Sequence, residues 1–215
     1  MTGTNDFDAK ANTWDADPAK VDRARRVAEA IVRDVPDLAR RSVLDYGAGT
    51  GLLGFQLLPR AARITFADVS KGMLAVVEEK LAKTTGRNAD AVLLDLTRDP
   101  IPPLRFGLLC TLMALHHVPD VDGILKAFHS TLEPGGVLCV SDLDLEDGSF
   151  HGPGFEGHPG FDRHVLEGKI LAAGFGPVRF STPCDVRKEV GGEMRTYPIF
   201  LAIAARLGSP LALDE

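Results

Sequence analysis

The sequence predicts an α/β fold: a sheet of seven strands, mostly parallel, with helices on both faces. Two observations carry this. From residue 42 to about residue 184, short apolar runs of strand length alternate with stretches whose apolar residues recur at helical spacing. A glycine-rich turn, Gly47-Ala48-Gly49-Thr50-Gly51, follows the first of those runs, where a doubly wound sheet opens its ligand crevice.

The elements follow in order. Residues 1–17, with Phe7 and Trp14 as isolated apolar anchors, are expected to be loosely ordered, as a lid or a tail. From Pro18 onward, Val21, Ala24, Val27, Ala28, Ile31, Val32 and Val35 recur with helical period, and Pro36 ends the helix. Residues 42–46 make a short buried strand. Thr50 to Leu58 makes a helix closed by Pro59, and residues 63–68 a second strand. Ser70 caps a helix with Met73, Val76, Val77 and Leu81 on one face.

Residues 90–95 form a third strand, and the proline-rich stretch 97–104 a loop. Residues 106–112 read as a strand buried on both faces. A helical stripe of Val121, Ile124, Leu125, Phe128 and Leu132 follows Asp120, and residues 135–145 form a strand after a Pro-Gly-Gly turn. Residues 146–160 hold five glycines, two prolines and two histidines, and are expected to be a flexible loop on the substrate side. Asp162 caps a helix through Ala173, with Gly174 as its stop. Residues 177–184 and 197–205 are the last strands. The polar residues 187–195 join them with no helical pattern, which suits an antiparallel hairpin. No repeat or linker interrupts the chain, so residues 1–215 are expected to be one domain.

Composition excludes several classes. Lys and Arg total 24 against 30 Asp and Glu, a net charge of −6, so no basic face is on offer to nucleic acid. Arg23, Arg25 and Arg26 alternate with acids and read as a solvated helix face. Cys110, Cys139 and Cys184 are too scattered for a disulfide framework, which suits a reducing compartment. The first ten residues are polar and acidic, unlike a secretory signal, and the longest nearly apolar run, Phe106 to Leu115, is too short to cross a bilayer. The expectation is a soluble cytoplasmic protein without membrane contact; its oligomeric state is not legible.

The glycine turn is the first chemical signal. A dinucleotide fingerprint places a third glycine where Leu52 stands; here the spacing is G-x-G-x-G. Asp45 lies two residues before the turn. A carboxylate there would repel a pyrophosphate and attract a cationic amine. Asp68 ends the second strand, suited to the vicinal hydroxyls of a ribose, where one such charged hydrogen bond is worth about 1.5–3 kcal/mol. Asp95 ends the third and is placed to accept from an adenine amine. Each acid alone reads equally as a cap or turn residue. The three in sequence, on one sheet edge, make a nucleoside cradle.

The order "VLDYGAGTG" (43–51), "FADVSKGML" (66–74), "LLDL" (93–96), "LMALHHVPD" (112–120) and "LEPGGVL" (132–138) resembles the class I S-adenosylmethionine-dependent methyltransferases over roughly residues 40 to 205. The resemblance implies a three-layer, Rossmann-like sandwich whose seven-stranded sheet has an antiparallel last strand. It implies that Gly47, Ala48, Gly49 and Gly51 line the methionine part of S-adenosylmethionine, and that Asp45 faces its amino group directly or through water. Asp68 would hold the ribose, Val69 and Met73 sandwich the adenine, and Asp95 and Leu96 bond its edge. Met113 and Ala114 would lie near the sulfonium. Met73 reads equally as core of its own helix.

Methyl transfer is an in-line displacement from a sulfonium, so alignment alone supplies about 7–11 kcal/mol and a catalytic base is optional. The candidates are His117, past the fourth strand, and His151 and His158 in the 146–160 loop. His117 is either a base or a residue that lines the cofactor and bonds the backbone. His151 and His158 have no third ligand at a recognisable metal spacing, so no metal is expected. Phe150, Phe155 and Phe161 give the loop apolar surface, either as a lid or packed on the sheet.

The expected function is methylation of a small-molecule acceptor. The alternatives are a protein methyltransferase, a non-catalytic cofactor-binding module of the same fold, and an NAD-dependent oxidoreductase. The last lacks support because neither Tyr46 nor Tyr197 is followed four residues later by Lys.

Overall fold

A computed structural model describes residues 4–84 and 88–207. The ends of the expected 1–215 domain, residues 1–3 and 208–215, lie outside the described residues. The strands are β1 (Ser42–Tyr46), β2 (Arg63–Asp68), β3 (Ala89–Leu93), β4 (Phe106–Leu112), β5 (Leu132–Leu143), β6 (Arg179–Val190) and β7 (Glu193–Ala205). They form one sheet in the order β3-β2-β1-β4-β5-β7-β6. The pairs from β3 through β5 are parallel, and β7 is antiparallel to both of its neighbours. Strand order reverses between β1 and β4. That switch point opens a crevice at their carboxyl ends.

The helices are α1 (Thr4–Lys10), α2 (Pro18–Asp34), α3 (Leu52–Leu57), α4 (Lys71–Ala82), α5 (Val121–Thr131) and α6 (Arg163–Ala172). Side chains start four of them. Asp17 accepts from Ala19 N–H, Ser70 from Met73 N–H, Asp120 from Gly123 N–H and Asp162 from His164 and Val165 N–H. The two faces of the sheet bury separate clusters. Val27, Ile31, Leu57, Ile64, Phe66 and Leu108 fill one; Leu44, Leu109, Leu125, Phe128, Leu138 and Phe200 fill the other. The alternation of Leu108 and Leu109 along β4 feeds both layers, as a strand buried on both faces must. None of the described helices is long and apolar enough to cross a membrane.

Three expectations needed correction. Residues 4–16 are not loosely ordered: α1 runs into a 3-10 turn, Ala11–Ala16. The polar residues 187–195 are not a linker; they extend β6 and β7 into a long ladder closed by Gly191-Gly192, both at positive φ. The helix after the glycine turn is short, because Gly51 at φ 82° still belongs to the turn and Leu52 begins α3.

Candidate active site

The glycine turn is fixed from below and from the side. An ideal Cβ on Gly47 (φ 67°) would stand 2.5 Å from Ala114 Cβ, so the end of β4 presses directly on the turn. Ala114 follows Met113, which itself holds φ 56°, a conformation that non-glycine residues seldom adopt. Gly49 faces open space apart from Met73 Sδ at 3.9 Å. Ala48 N–H donates to Ala67 C=O (3.0 Å), locking the turn onto β2.

Asp45 is 1% exposed and lies beneath the turn. Its Oδ2 accepts from Gly54 N–H (2.9 Å), and the Cys110 thiol lies 3.8 Å from Oδ1. The Asp45 carboxyl thus carries the first turn of α3. Burial pushes its pKa up to about 7; the Gly54 bond opposes this, and the charge of Asp68 adds to it. Asp68 Oδ2 accepts from Gly49 N–H (2.7 Å) and Oδ1 from Ser70 N–H (2.8 Å), so one side chain ties the glycine turn to the start of α4. Burial, as the leading cause, raises its pKa as well. Neither acid forms an ion pair with Lys or Arg among the described residues.

The remaining cradle residues divide. Val69 is 41% exposed beside Asp68 and offers an open apolar face. Met73 is 2% exposed and packs under Gly49. Asp95 lies two residues past β3 rather than at its end, and its carboxylate is engaged by Thr97 N–H (3.0 Å) and Oγ1 (2.5 Å). Leu96 is buried, and its N–H donates to the Tyr46 hydroxyl at 3.1 Å. Both groups expected at an adenine edge thus already have protein partners.

Beyond Ala114 a histidine wall begins. His116 is 1% exposed. Its Nδ1 lies 2.6 Å from Asp142 Oδ1, and its backbone N–H donates to Asp142 Oδ2 (3.1 Å). Asp142, 0% exposed, comes from the carboxyl end of β5. His116 Nε2 is buried without a partner, as is His151 Nδ1. His117 reaches the surface, its ring against Phe7 (5.3 Å between centroids) and Phe155 (5.4 Å). His151 stacks on Phe155 at 3.8 Å. Burial, then the neighbouring His116, pushes both His117 and His151 down to about 4.

His158 does not join this group. Its ring N–H donates to Val118 C=O (3.0 Å) and its backbone N–H to His116 C=O (2.8 Å), so it pins the loop rather than facing the crevice. His151 and His158 have no third ligand at a recognisable spacing in the sequence, and the structure separates them, bringing His151 instead to His116 and His117. His116 and His117 approach His151 through the fold, not through sequence spacing. His116 stood beside His117 in the sequence as a second histidine past the fourth strand; Asp142 and Tyr46 were not singled out for the site, and the signal for Asp142 was an acid inside an apolar strand.

The doubly wound sheet, with a glycine turn at its switch point and acids on the adjoining strand ends, defines the class I methyltransferase fold. Residues 43–136 match the family model described as a methyltransferase domain. An uncharacterized methyltransferase of Schizosaccharomyces pombe is 31% identical over 118 residues, 52% of this chain and 42% of that protein. A ubiquinone biosynthesis O-methyltransferase of Marinobacter nauticus is 32% identical over 117 residues, 53% of this chain and 48% of that protein. The chain thus spans about half the length of these relatives. Magnesium protoporphyrin IX methyltransferase of Synechocystis PCC 6803, solved with bound S-adenosylhomocysteine, superposes with a TM-score of 0.65 at 16% identity, covering 87% of this chain and 84% of that one.

Proposed function

We propose that the protein is an S-adenosylmethionine-dependent methyltransferase acting on a small-molecule acceptor. The observation that carries this is the β4 end: Ala114 abuts the glycine turn, and two residues on His116 begins a wall of three histidines. One short segment thus borders both a nucleoside cradle and a group of proton acceptors. The residues fit the cofactor. Gly49 and the exposed Val69 give it an open surface, and the Asp45–Asp68 pair, lacking a cationic partner among the described residues, suits a ligand bearing an ammonium and a sulfonium. Asp68, Val69, Met113 and Ala114 are the residues that would hold it.

When bound, the cofactor supplies an electrophilic methyl group. The chain's own work is positioning and proton handling. Phe7 and Phe155 flank His117 and give the acceptor side an apolar surface. Asp142 accepts from His116 Nδ1–H, which leaves Nε2 as the basic atom. A hydroxyl acceptor suits this wall, and the O-methyltransferase named above gives the same direction. The fold and the match of residues 43–136 to a methyltransferase domain support the reading. Calorimetry with S-adenosylmethionine, its homocysteine product and NAD tests it, followed by turnover on a panel of phenols and catechols. Heat for NAD alone would refute the assignment.

A further inference from the structure

We propose that His116, His117 and His151 form a three-nitrogen site for a divalent metal ion of the zinc type, oriented by Asp142, with an open position for an acceptor oxygen. Each ring offers one nitrogen, and these atoms all lie within 4.8 Å of one another. Zinc–imidazole bonds of about 2.0–2.1 Å put tetrahedral nitrogens roughly 3.4 Å apart, so binding draws the rings together by an ångström or so. Two of the three can move. His117 is at the surface, and His151 sits in a loop where Gly148, Gly152 and Gly154 hold positive φ in open space.

The third is fixed, and in the manner a ligand needs. Asp142 takes the Nδ1 proton of His116, so the Nε2 lone pair is left over, buried and unpartnered. Asp142 is itself held by the N–H groups of His116 and Leu143. A carboxylate on the far nitrogen of a ligating imidazole sets its tautomer and raises its basicity. His151 Nδ1 is a second buried nitrogen with no partner. Two such orphans in one cluster carry a desolvation penalty that a shared cation removes. Three imidazoles without a thiolate are the donor set of zinc sites that keep a fourth position open.

The metal site stands on this geometry alone; its use in catalysis rests on the methyltransferase reading. A hydroxyl entering the open position becomes more acidic and loses its proton to solvent. The oxygen lone pair then forms the carbon–oxygen bond to the methyl group, while the carbon–sulfur bond breaks and its electron pair stays on sulfur.

The test uses the full chain, stripped with a chelator and titrated with Co(II). The expected result is one equivalent bound, with the intense visible bands of tetrahedral coordination, and displacement by Zn(II). His117→Ala and His151→Ala should each weaken zinc binding at least tenfold, and Asp142→Asn tenfold to a hundredfold. His164→Ala, on the exposed face of α6, should change nothing. Thermal melting confirms that each variant folds; His117 is at the surface, so its variant reports even where a buried one does not fold. Absence of stoichiometric binding, weak octahedral spectra, or unchanged affinity in both His117→Ala and His151→Ala overturns the site. Calorimetry with S-adenosylmethionine on the same samples separates the two readings. Cofactor binding without metal sinks only the site, and metal binding without cofactor sinks only the methyltransferase assignment.

Discussion

His116 Nδ1 stands 2.6 Å from Asp142 Oδ1, with both side chains closed off from water. A short bond between two shut-in groups fixes the tautomer of the imidazole. Asparagine at 142 keeps the shape but no longer takes the Nδ1 proton as a carboxylate does. Asp142→Asn should therefore lower kcat at least tenfold, while the Kd for S-adenosylmethionine stays within twofold. A loss seen only in KM would assign Asp142 to substrate binding instead.

Asp68 joins Gly49 N–H to Ser70 N–H, and so holds the cofactor turn against the start of α4. Asp68→Ala removes both bonds along with the carboxylate meant for the ribose. The Kd for S-adenosylmethionine should rise at least tenfold, about 1.4 kcal/mol. Asp68→Asn keeps an acceptor and should fall between. Titration calorimetry on the two variants checks the order, and an unchanged Kd in Asp68→Ala removes the ribose assignment.

Asp45 makes stability depend on pH in an unusual direction. Its folded pKa of about 7 lies above the ordinary carboxylate value, so the folded chain keeps a proton that the unfolded chain gives up. This contribution is complete below the unfolded pKa, near 4, and is lost as pH rises toward 7, at up to about 1.4 kcal/mol per pH unit. Asp45→Asn still accepts from Gly54 N–H and does not titrate. Its stability relative to the parent should grow from pH 4.5 to 7.5 in urea melts. Parallel curves would show that Asp45 keeps an ordinary pKa.

Tyr46 closes the second cradle wall by hydrogen bonding from strand to loop. Tyr46→Phe leaves the buried Leu96 N–H without its acceptor, at a cost of about 1–3 kcal/mol. Thermal unfolding reads it directly, and an unchanged Tm would place a water in the gap.

Periodicity and caps made most of the sheet legible. Asp17, Ser70, Asp120 and Asp162 each precede a helix in the sequence and each cap one in the fold. What was not legible depends on partners distant in the chain. No apolar stripe marks residues 4–10, because α1 is held by Asp8 reaching Ser70 and Gly72. The polar ends of β6 and β7 show no strand pattern, because both faces of that ladder meet water. Leu96 offered its N–H on paper, but the acceptor that takes it is 50 residues earlier. His116 and His151 are 35 positions apart, and only the loop's return to the β4 end brings their rings to 4.9 Å.

The contact that seats α1 yields the last prediction. Asp8 Oδ1 accepts from Ser70 Oγ (2.5 Å) and Gly72 N–H (2.8 Å). Gly72 permits this approach, since a Cβ there would lie 2.8 Å from Asp8 Cα. At the far end of the segment Asp15 binds Lys80 (2.5 Å) and Thr50 Oγ1 (2.5 Å). Just before Asp8, Phe7 spans from Trp14 to His117, so the segment bridges the cofactor side and the histidine wall. The Ser70 hydroxyl, then the Gly72 N–H, holds the Asp8 carboxyl below its usual pKa. The docking is thus present above the ordinary carboxylate range and lost as pH falls through the folded value. Asp8→Ala and Gly72→Ala should both speed amide exchange across residues 6–16 at least tenfold, leave β1 and β4 protected, and raise the KM for the cofactor. Lowering the pH should speed the same amides in the parent and not in Asp8→Ala. If exchange at residues 6–16 is the same in all three proteins, the segment is held by its apolar contacts, and Asp8 has no part in closing the crevice.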